Sequence, residues 1–574
     1  MKIYHKFLLY QNKLLKPYVR ILLGLVEALT YLASLLLIVG VIYEHGFPLS
    51  VDEVAKIQVL YKAVWIIFLV DVTLHISLEY RSTKKQYRRL AWILSGLLYL
   101  TLIPVIFHRP EEEGAILQFW EFLDGKFYHL VLLLIFSFLN LSNGLVRLLG
   151  RRTNPSLILA VSFLAIILIG TGLLMLPRCT VNGITWVDSL FTATSAVCVT
   201  GLVTIDTADH FTAFGQAIMG LLIQIGGLGV SSVGVGLVIA AGKKVSFKSR
   251  TMAKEALNVD NYKGVVKLVK AVFCMTLGFE LAGALLSFLV FSRDYPFLHA
   301  VGISVFHSVA SFNNAGLDIL GGLQNLIPYG DDVFLNIVTS ALVIVGGIGF
   351  PVILDVARNR SFKKLTLHSK VVLVTSGGLL LSGTLLLKLT DHLTWMQAFF
   401  HSMSARTAGF STCSLGEFSN AGLFVIMILM FIGASSGSTG GGVKTSTFFV
   451  LLQAIRSEFS KRRTGAFHRS IPRENVFRAG MLVITSMVLV CIGTFLMCVL
   501  APQFDFVQIM FEVVSAFSTA GLSTGITPEL GFAAKVVLIL IMFTGRLGVM
   551  TMVTIWVTRP ERQTRYTEES VMIG

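Results

Sequence analysis

The sequence contains four copies of one short phrase, a serine- and aromatic-rich run that ends in glycine and an apolar residue. The copies are SAVCVTGL (195–202), VASFNNAGL (309–317), MSARTAGF (403–410) and VSAFSTAGL (514–522). Aligned on Gly201, Gly316, Gly409 and Gly521, each copy has a phenylalanine ten residues upstream, at Phe191, Phe306, Phe399 and Phe511. Because the agreement extends beyond the phrase itself, it predicts one structural unit built four times.

The composition is that of a membrane protein. Of the 574 residues, 54% are hydrophobic and 14% are charged, and the mean hydropathy is +0.77. A soluble domain carries about 25% charged residues. The net charge of +15 is expected to lie in cytoplasmic loops that fix the orientation, so nucleic acid is not an expected partner. The six cysteines show neither metal-ligand nor disulfide spacing.

Twelve apolar stretches qualify as candidate membrane spans. They cover residues 20–43, 60–80, 89–107, 128–148, 156–176, 214–241, 267–291, 332–356, 371–390, 421–455, 478–500 and 532–557. The first stretch lacks a small-residue cleavage site, so we expect a retained helix rather than a signal peptide. With both termini in the cytoplasm, every basic cluster falls on one side, as the positive-inside rule requires. The sequence therefore predicts a multi-pass protein of the cell inner (plasma) membrane, embedded in lipid.

All four phrases fall in outward-facing connections of this topology. Each one ends a helix too short to span, and these helices are predicted at about Val187–Val197, Ala300–Ser311, Gln397–Ala405 and Val507–Phe517. Non-helical backbone at membrane depth is tolerated only where protein buries it or where it lines a water-filled path. Four such segments converging on one axis predict a pore.

A glycine at the end of each short helix suits cation binding by the backbone. A cation that crosses a membrane exchanges its water shell for oxygen ligands, and rings of backbone carbonyls supply them in potassium filters. Directing successive carbonyls at one axis needs dihedral angles that glycine adopts without steric cost. The alternative is that the glycines only allow close helix packing, but the repetition of the flanking pattern favours the pore.

The segments AVCVTGL, FNNAGL, ARTAGF and SAFSTAGL, together with GASSGSTGGGVK and TGRLG, resemble the Trk/Ktr/HKT superfamily of potassium transporters over about residues 155–560. The resemblance implies an all-α membrane fold in which four fused helix–pore-helix–helix repeats surround one ion pathway, as in a potassium channel. It implies that potassium binds at the filter residues Val199, Thr200, Gly201, Leu202, Asn314, Ala315, Gly316, Leu317, Thr407, Ala408, Gly409, Phe410, Thr519, Ala520, Gly521 and Leu522. Serine in place of the first filter glycine goes with sodium preference in the superfamily, so Gly201 implies potassium.

The second helix of each repeat also carries a glycine motif: IGGLG (225–229), VGGIG (345–349), GASSGSTGGG (433–442) and TGRLG (544–548). The third motif cannot remain a stable continuous helix, since each glycine costs about 1 kcal/mol relative to alanine. The resemblance implies an intramembrane gating loop here, although a merely kinked packing helix is the alternative. The expected gating residues are Gly433, Ser435, Ser436, Gly437, Ser438, Gly440, Gly441, Gly442, Lys444 and Arg546.

Arg546 lies within an otherwise apolar helix. A charge at the bilayer centre costs roughly 2.5–3.5 kcal/mol on insertion scales, so it should face protein or water. The inner end of the helix is ~16 Å away at 1.5 Å per residue, which is too far for easy snorkelling. We therefore expect Arg546 to face the pore beneath the filter. Lys444 either lines the inner pore or caps the broken helix.

Other polar residues near the phrases are expected to support the filter rather than bind the ion. Arg406 is expected to pair with an acid at the outer mouth, and Asn313 and Asn314 are expected to brace a filter segment by hydrogen bonding. For the carboxylates Glu280 and Glu512, the sequence leaves open a structural pairing and a role in the ion path.

Residues 1–150 lie outside the resemblance. Four spans before a pore unit suggest a voltage sensor, but the fourth candidate span has only Arg147, where a sensor needs regularly spaced arginines. We expect a packing or partner-docking module. The predicted domains are 1–150 (this module), 151–260 (pore repeat 1), 261–360 (repeat 2), 361–470 (repeat 3 with the gating loop) and 471–574 (repeat 4 and the C-terminal tail).

The function predicted from these observations is potassium uptake, without enzymatic activity and without a cofactor in this chain. The superfamily implies a homodimer and a separate cytosolic nucleotide-binding regulatory subunit, with the basic loops 243–270 and 456–478 as docking surfaces. A sodium-selective channel or transporter of the same fold is the alternative. A membrane-embedded enzyme or assembly factor with a degenerate repeat is a third hypothesis, which predicts no ion flux.

Overall fold

The computed structural model describes residues 2–78, 89–107, 114–148, 155–230, 232–233, 236 and 264–556, and these are mostly helical. The helices before the first phrase are α1 (Lys2–Gly46), α2 (Val51–Leu78), α3 (Arg89–Leu100), α4 (Ile103–Ile106), α5 (Ala115–Asp124), α6 (Lys126–Leu148) and α7 (Pro155–Leu174). The next are α8 (Trp186–Cys198), α9 (Thr207–His210), α10 (Ala213–Leu228), α11 (Val265–Phe291), α12 (Phe297–Phe312), α13 (Val333–Ile348), α14 (Phe350–Asn359) and α15 (Leu367–Thr390). The last are α16 (Trp395–Ser404), α17 (Asn420–Phe431), α18 (Thr445–Phe459), α19 (Arg473–Leu500), α20 (Phe506–Ser518), α21 (Phe532–Leu547) and α22 (Val549–Trp556).

Each phrase ends a short helix that lies between two longer ones. We call α7, α11, α15 and α19 the outer helices, α8, α12, α16 and α20 the short helices, and α10, α13, α17 and α21 the inner helices. The short helices begin and end within three residues of the bounds expected from the sequence. Side-chain capping marks the start of three of them: the Thr185 side chain accepts from Asp188 N, and Thr394 and Asp505 form capping boxes.

The four units follow one another around an axis. Each inner helix packs on the short helix of the next unit: α10 on α12, α13 on α16, α17 on α20, and α21 on α8. The last contact closes the circle, and an ion pair of 2.7 Å between Lys535 of α21 and Asp188 of α8 reinforces it. The short helices are thereby held in the middle of the molecule.

Glycines allow three inner helices to approach the short helix of their own unit. A Cβ added to Gly226, Gly346 or Gly545 would overlap a backbone carbonyl oxygen in the last turn of that helix, at Val197, Phe312 and Phe517 respectively. Small residues permit this backbone-on-backbone contact in membrane helices. The inner-helix motifs are therefore packing sites as well as helix ends.

All four inner helices are interrupted, whereas the sequence predicted a break only in the third. α10 ends before Gly229 (φ 79°). α13 and α14 meet at Gly349 (φ 101°) with a bend of 97°, and α21 and α22 meet at Gly548 (φ 84°) with a bend of 94°. The sequence analysis did not predict these bends within the candidate spans 332–356 and 532–557, where a glycine of positive φ stops helical propagation. In the third unit, a loop separates α17 from α18.

The described residues contain six helices long and apolar enough to cross a membrane, or up to eight if each bent pair forms one span. The chain is therefore a multi-pass membrane protein, and the count of twelve spans and the domain bounds stay predictions. Most of the basic loop 243–270 lies outside the described residues. The other basic loop, 456–478, contains a two-stranded hairpin, β1 (Gly465–Ala466) and β2 (Arg469–Ser470), in antiparallel register.

A polar cluster near the C-terminal end of α1 joins α1, α2 and α6. The Glu44 carboxylate in α1 accepts from Tyr61 Oη in α2 and from Lys126 Nζ in α6, both at 2.6 Å. The third candidate span is two helices, α3 and α4, and α5 was not expected from the sequence. His75 and Asp71, one turn apart in α2, form a local pair at 3.1 Å.

The close contacts of the inner helices predict that alanine substitution at two glycines of α10 has clearly different effects on thermal stability. In Gly226→Ala the new methyl meets the Val197 carbonyl, and overpacking of this kind costs typically 1–3 kcal/mol. That exceeds the gain of about 1 kcal/mol in helix propensity. We expect a lower thermal stability of the purified protein, measured by fluorescence-detected size exclusion after heating.

Gly220→Ala is the matched control, because its Cβ would meet Phe306 at an ordinary contact distance of 3.8 Å. We expect its thermal stability to equal or exceed that of the wild type. Equal stability of the two variants would contradict the packing role of Gly226.

Candidate functional site

The four phrase glycines meet in a closed ring. A Cβ on Gly201 would lie 2.5 Å from the Ala315 carbonyl oxygen, and one on Gly316 would lie 2.6 Å from Gly409 Cα. A Cβ on Gly409 would lie 2.8 Å from the Ala520 carbonyl oxygen, and one on Gly521 would overlap that of Thr200. All four glycines have positive φ, at 98°, 64°, 80° and 82° in chain order. Each glycine thus abuts the next unit, and the fourth abuts the first; we call this arrangement the glycine ring.

The backbone enters the ring through left-handed residues that terminate the short helices. These residues, two before each glycine, are Val199 (φ 55°), Asn314 (φ 59°), Thr407 (φ 69°) and Thr519 (φ 52°). In units 1, 2 and 4 the next N–H bonds to the carbonyl five residues earlier, at 2.8 to 2.9 Å, which is a standard helix-ending bond. In unit 3 Ala408 N bonds instead to Ser404 O, four residues earlier.

Three of these left-handed residues are β-branched, which is a rare and costly combination. Such a residue costs on the order of 1–3 kcal/mol and persists only where its surroundings over-determine it. Strained backbone of this kind clusters at functional sites. The conformation of Val199, Thr407 and Thr519 therefore marks the ring as a functional site independently of any sequence motif.

The ring is an environment suited to a cation. The carboxyl ends of four short helices converge on it, and that end of a helix carries partial negative charge. The hydroxyl oxygens of Thr200, Thr407 and Thr519 are buried and have no hydrogen-bond partner among the described residues. Buried hydroxyls without partners are unfavourable. Oxygen atoms of this kind are the ligands that a dehydrated cation requires.

Each segment of the ring has its own hydrogen-bonded support. Ser195 Oγ accepts from Gly201 N at 3.1 Å, and Ser404 Oγ donates to Phe410 O at 2.5 Å. In unit 4 the buried Glu512 accepts from Thr524 N at 2.9 Å and from the hydroxyls of Ser523, Thr524 and Thr527. Of the two roles left open for Glu512, these contacts favour the structural pairing.

A second buried carboxylate supports unit 2 from behind. Glu280 of α11 accepts from Asn313 Nδ2 at 2.9 Å and from Gln224 Nε2 at 3.2 Å, and Asn313 Nδ2 also donates to Gln224 Oε1. The bracing expected of Asn313 is therefore present, and its partner was not foreseen. Arg406 does not meet an acid at the outer mouth: its guanidinium donates to Ser376 O and Oγ of α15, because the outer helix packs directly against that turn.

The glycine-rich loop, Gly433–Gly442, lies against the short-helix side of the ring. Thr439 Oγ1 donates to Asn314 Oδ1 at 2.9 Å. A Cβ on Gly440 would overlap Thr407 Oγ1, and one on Gly441 would overlap Thr519 Oγ1. The loop thus touches three of the four left-handed residues through which the backbone enters the ring.

The loop also completes the broken end of the second inner helix. Ser435 N donates to Gly347 O at 3.0 Å and Thr439 N to Gly346 O at 3.4 Å. These carbonyls belong to the last turn of α13 and lack intrahelical partners. Within the loop, Ser438 Oγ donates to Ser435 O, and Ser436 Oγ bonds to Ser446 Oγ in α18.

Two cationic side chains donate hydrogen bonds to carbonyl oxygens of the same loop. The Arg546 guanidinium donates to Thr439 O in the loop and to Gly226 O, with a longer contact of 3.5 Å to Gly227 O. It therefore ties the loop to the end of the first inner helix. Lys444 Nζ donates to Gly440 O at 2.7 Å and to Gly441 O at 3.3 Å, so it bonds to carbonyls of the loop itself.

A cavity of about 210 Å³ lies on the other side of the ring. We call it the vestibule; all four ring glycines line it, together with Asp206, Asp318, Asn325 and the segment after each glycine. Burial, with the nearby charge of Asp206, raises the pKa of Asp318 to about 6. This carboxyl is thus charged at neutral pH and protonated in mild acid.

Sequence reasoning missed several residues of the site. Thr439 was passed over within the glycine-rich loop, although it carries the contacts to both Asn314 and Arg546. Asp318 and Asn325 lie in a connection without periodicity, where only the Gly321–Gly322 turn offered a local signal. The ring and loop residues named from the sequence do come together in one place.

The long apolar helices, with the four short helices packed between them, define a multi-pass helical membrane protein. A family profile described as "TrkH: Cation transport protein" matches residues 150–374 and 371–564. The chain therefore belongs to the TrkH family of cation transport proteins.

Relatives of known name agree with this assignment. "Ktr system potassium uptake protein B" of Bacillus subtilis (strain 168) is 39% identical over 440 residues, which is 74% of this chain and 97% of the relative. "Potassium/sodium uptake protein NtpJ" of Enterococcus hirae is 39% identical over 444 residues, with 74% and 98% covered. The fold is similar to that of the potassium transporter TrkH from Vibrio parahaemolyticus, with a TM-score of 0.56 at 17% identity over 82% of this chain and 96% of that one.

The raised pKa of Asp318 predicts a pH-dependent capture of the transported cation. Above about pH 6 the carboxylate adds negative charge to the vestibule, and below it that charge is lost. We expect the apparent KM for the cation to rise as the external pH falls from about 7.5 to about 5, in uptake assays on proteoliposomes. Asp318→Asn should remove most of this dependence by fixing the high KM.

Glu417→Gln is the control, since Glu417 is an exposed carboxylate next to the vestibule-lining residue Gly416. It should keep the wild-type pH profile. If Asp318→Asn kept the wild-type pH dependence of the apparent KM, a titrating group other than Asp318 would be responsible for it.

Proposed function

We propose that this chain is the potassium-translocating subunit of an uptake system in the cytoplasmic membrane. The observation that carries the proposal is the glycine ring, in which four backbones approach too closely for a side chain at any of the four glycines. A dehydrated K⁺ binds there to carbonyl and threonine oxygens of the four filter segments, Val199–Leu202, Asn314–Leu317, Thr407–Phe410 and Thr519–Leu522. The names of the relatives, which refer to potassium uptake, support the choice of ion.

The glycine-rich loop is the gate in this proposal. It packs directly against the inner face of the ring, so an ion leaving the filter must displace it. Hydrogen bonds of Ser435, Ser436 and Ser438 stabilise the conformation of the loop. Its glycines have no side chains that could attach it to other parts of the protein. Arg546 and Lys444 hold the loop closed by binding its carbonyls, and their charges repel a cation beneath the filter.

We further propose the assembly implied by the superfamily resemblance. Both termini are cytoplasmic, the protein is a homodimer in lipid, and a separate cytosolic nucleotide-binding subunit regulates it. Two relatives are named for a Ktr system, which supports a partner of this kind. Residues 1–150 form an accessory module before four pore repeats at 151–260, 261–360, 361–470 and 471–574.

Substitution of one ring glycine tests the filter. In Gly201→Ser the new Cβ would lie 2.5 Å from the Ala315 carbonyl oxygen, so the first two segments must separate. We expect loss of growth rescue of a potassium-uptake-deficient bacterium at low K⁺, with a regulatory subunit supplied. In flux assays Na⁺ should compete better against K⁺ than in the wild type.

Gly183→Ser is the matched control: Gly183 also has a positive φ, but nothing lies within 4 Å of its Cβ position. It should rescue growth. Failure of the expressed wild type to rescue would refute potassium uptake, and Na⁺ flux that K⁺ does not inhibit would favour the sodium-selective alternative.

Removal of the arginine tests the gate. Arg546→Ala deletes charge-assisted hydrogen bonds, each worth roughly 1.5–3 kcal/mol, between the loop and the first inner helix. We expect a K⁺ flux several-fold above that of the wild type in proteoliposomes without a regulatory subunit. Arg478→Ala is the control, because Arg478 is exposed and pairs only with the exposed Glu474 among the described residues. A decreased flux in Arg546→Ala, with a monodisperse protein, would show that the arginine does not hold the gate closed.

A further inference from the structure

The connection after the second filter segment folds back over the vestibule. Four of its residues are left-handed: Gly321 (φ 95°), Gly322 (φ 70°), Leu323 (φ 54°) and Asn325 (φ 54°). Asp206 Oδ2 accepts from Leu323 N at 2.6 Å and Asp209 Oδ2 from Gly322 N at 3.3 Å, so the first unit fixes the turn. Asparagine is one of the few residues with a side chain that tolerates this conformation, and it occupies the position nearest the ring.

The Asn325 amide uses both its oxygen and its nitrogen at the ring. Its Oδ1 accepts from Leu326 N at 2.8 Å and from Ser411 N at 3.3 Å. Its Nδ2 donates to Gly316 O at 3.1 Å and, in a longer bond, to Gly409 O at 3.5 Å. The amide orientation follows from this network, since the reversed orientation would face N–H groups with N–H and carbonyls with a carbonyl.

The amide therefore bridges two adjacent glycines of the ring, one from unit 2 and one from unit 3. Among the residues that the structure describes, no other side chain donates to the carbonyl oxygen of a ring glycine. A backbone bond from Leu326 N to Ser411 O at 3.1 Å holds the same two units together. The bridge has no counterpart between the other units within the described ranges.

A hydrogen bond to a filter carbonyl has two effects on ion binding. It fixes the distance between the two oxygens, and it places a partial positive charge beside them. Discrimination between K⁺ and Na⁺ depends on cavity size or on the number and field strength of the coordinating carbonyls. Both accounts predict a preference for K⁺. A fixed spacing of the two carbonyl oxygens and a weaker electrostatic field from them each disfavour Na⁺, the smaller ion.

We infer that Asn325 is a specificity-determining residue, which positions the Gly316 and Gly409 carbonyls so that the ring rejects Na⁺. The inference rests on the proposed function of the ring as a potassium filter. Asn325 acts through the two glycine carbonyls and needs no contact with the ion.

Asn325→Gly is the cleanest test, because glycine keeps the left-handed backbone at no steric cost and removes only the amide. We expect the purified full-length variant, in proteoliposomes, to lose K⁺-over-Na⁺ preference by roughly three- to tenfold, the range that one net hydrogen bond gives. The preference is measured as the Na⁺ concentration that halves ⁸⁶Rb⁺ uptake, relative to the K⁺ concentration that does so.

Asn325→Asp is the second variant, because it keeps the size and both acceptor bonds but loses both donor bonds. It should lose the preference at least as far, while its added charge lowers the KM for all cations. Gln324→Ala, which removes the neighbouring exposed amide, is the matched control and should keep the wild-type ratio.

The outcomes separate the two proposals. If wild-type protein shows no K⁺-inhibited uptake, the filter function itself fails. If the wild type is K⁺-selective and both Asn325 variants retain its ratio, the role of Asn325 is refuted. A reduced maximal rate at an unchanged ratio would equally refute it, since that result describes a structural residue without influence on ion choice.

Discussion

The contact of four backbones at the glycine ring is the constraint on which the rest of the structure depends. A Cβ at any of the four glycines would collide with the backbone of the neighbouring unit, so the ring exists only because no side chain is present. A ring built of backbone has no side-chain packing of its own. Its geometry must be imposed by the surrounding helices, and the strained left-handed residues before each glycine show how strongly they impose it.

The helix interruptions follow from the same constraint. To hold the short helices, the inner helices approach their last turns through Gly226, Gly346 and Gly545, and they turn aside a few residues later. Each break leaves carbonyls at a helix end without intrahelical partners. Loop N–H groups satisfy them in the second unit and the Arg546 guanidinium in the first. A half-buried arginine is tolerable here because the broken helices and the loop supply its acceptors.

The sequence predicted the parts of this site that repeat, together with two features of unusual local composition, the glycine-rich loop and Arg546. The ring glycines and the short helices were found because four copies agree. The breaks at Gly349 and Gly548 were not, since one glycine in an apolar helix costs only about 1 kcal/mol and does not by itself end it. The predicted acidic partner of Arg406 was wrong, because its hydrogen-bond partner lies in α15, thirty residues earlier. Asn325 was missed because its role depends on a contact with Gly409, 84 residues away, that no local pattern encodes.

The supports of the ring are chemically different although the ring itself is nearly four-fold. A serine hydroxyl holds the first segment, an amide bridges the second and third, and a carboxylate with neutral donors holds the segment after the fourth. Identical supports would respond identically to any substitution, so selectivity could be tuned only for the whole ring. With distinct supports, each junction between units can change independently while the glycines stay fixed. Repetition therefore sets the geometry that binds an ion, and the non-repeated side chains around it are where ion preference and gating can diverge between related chains.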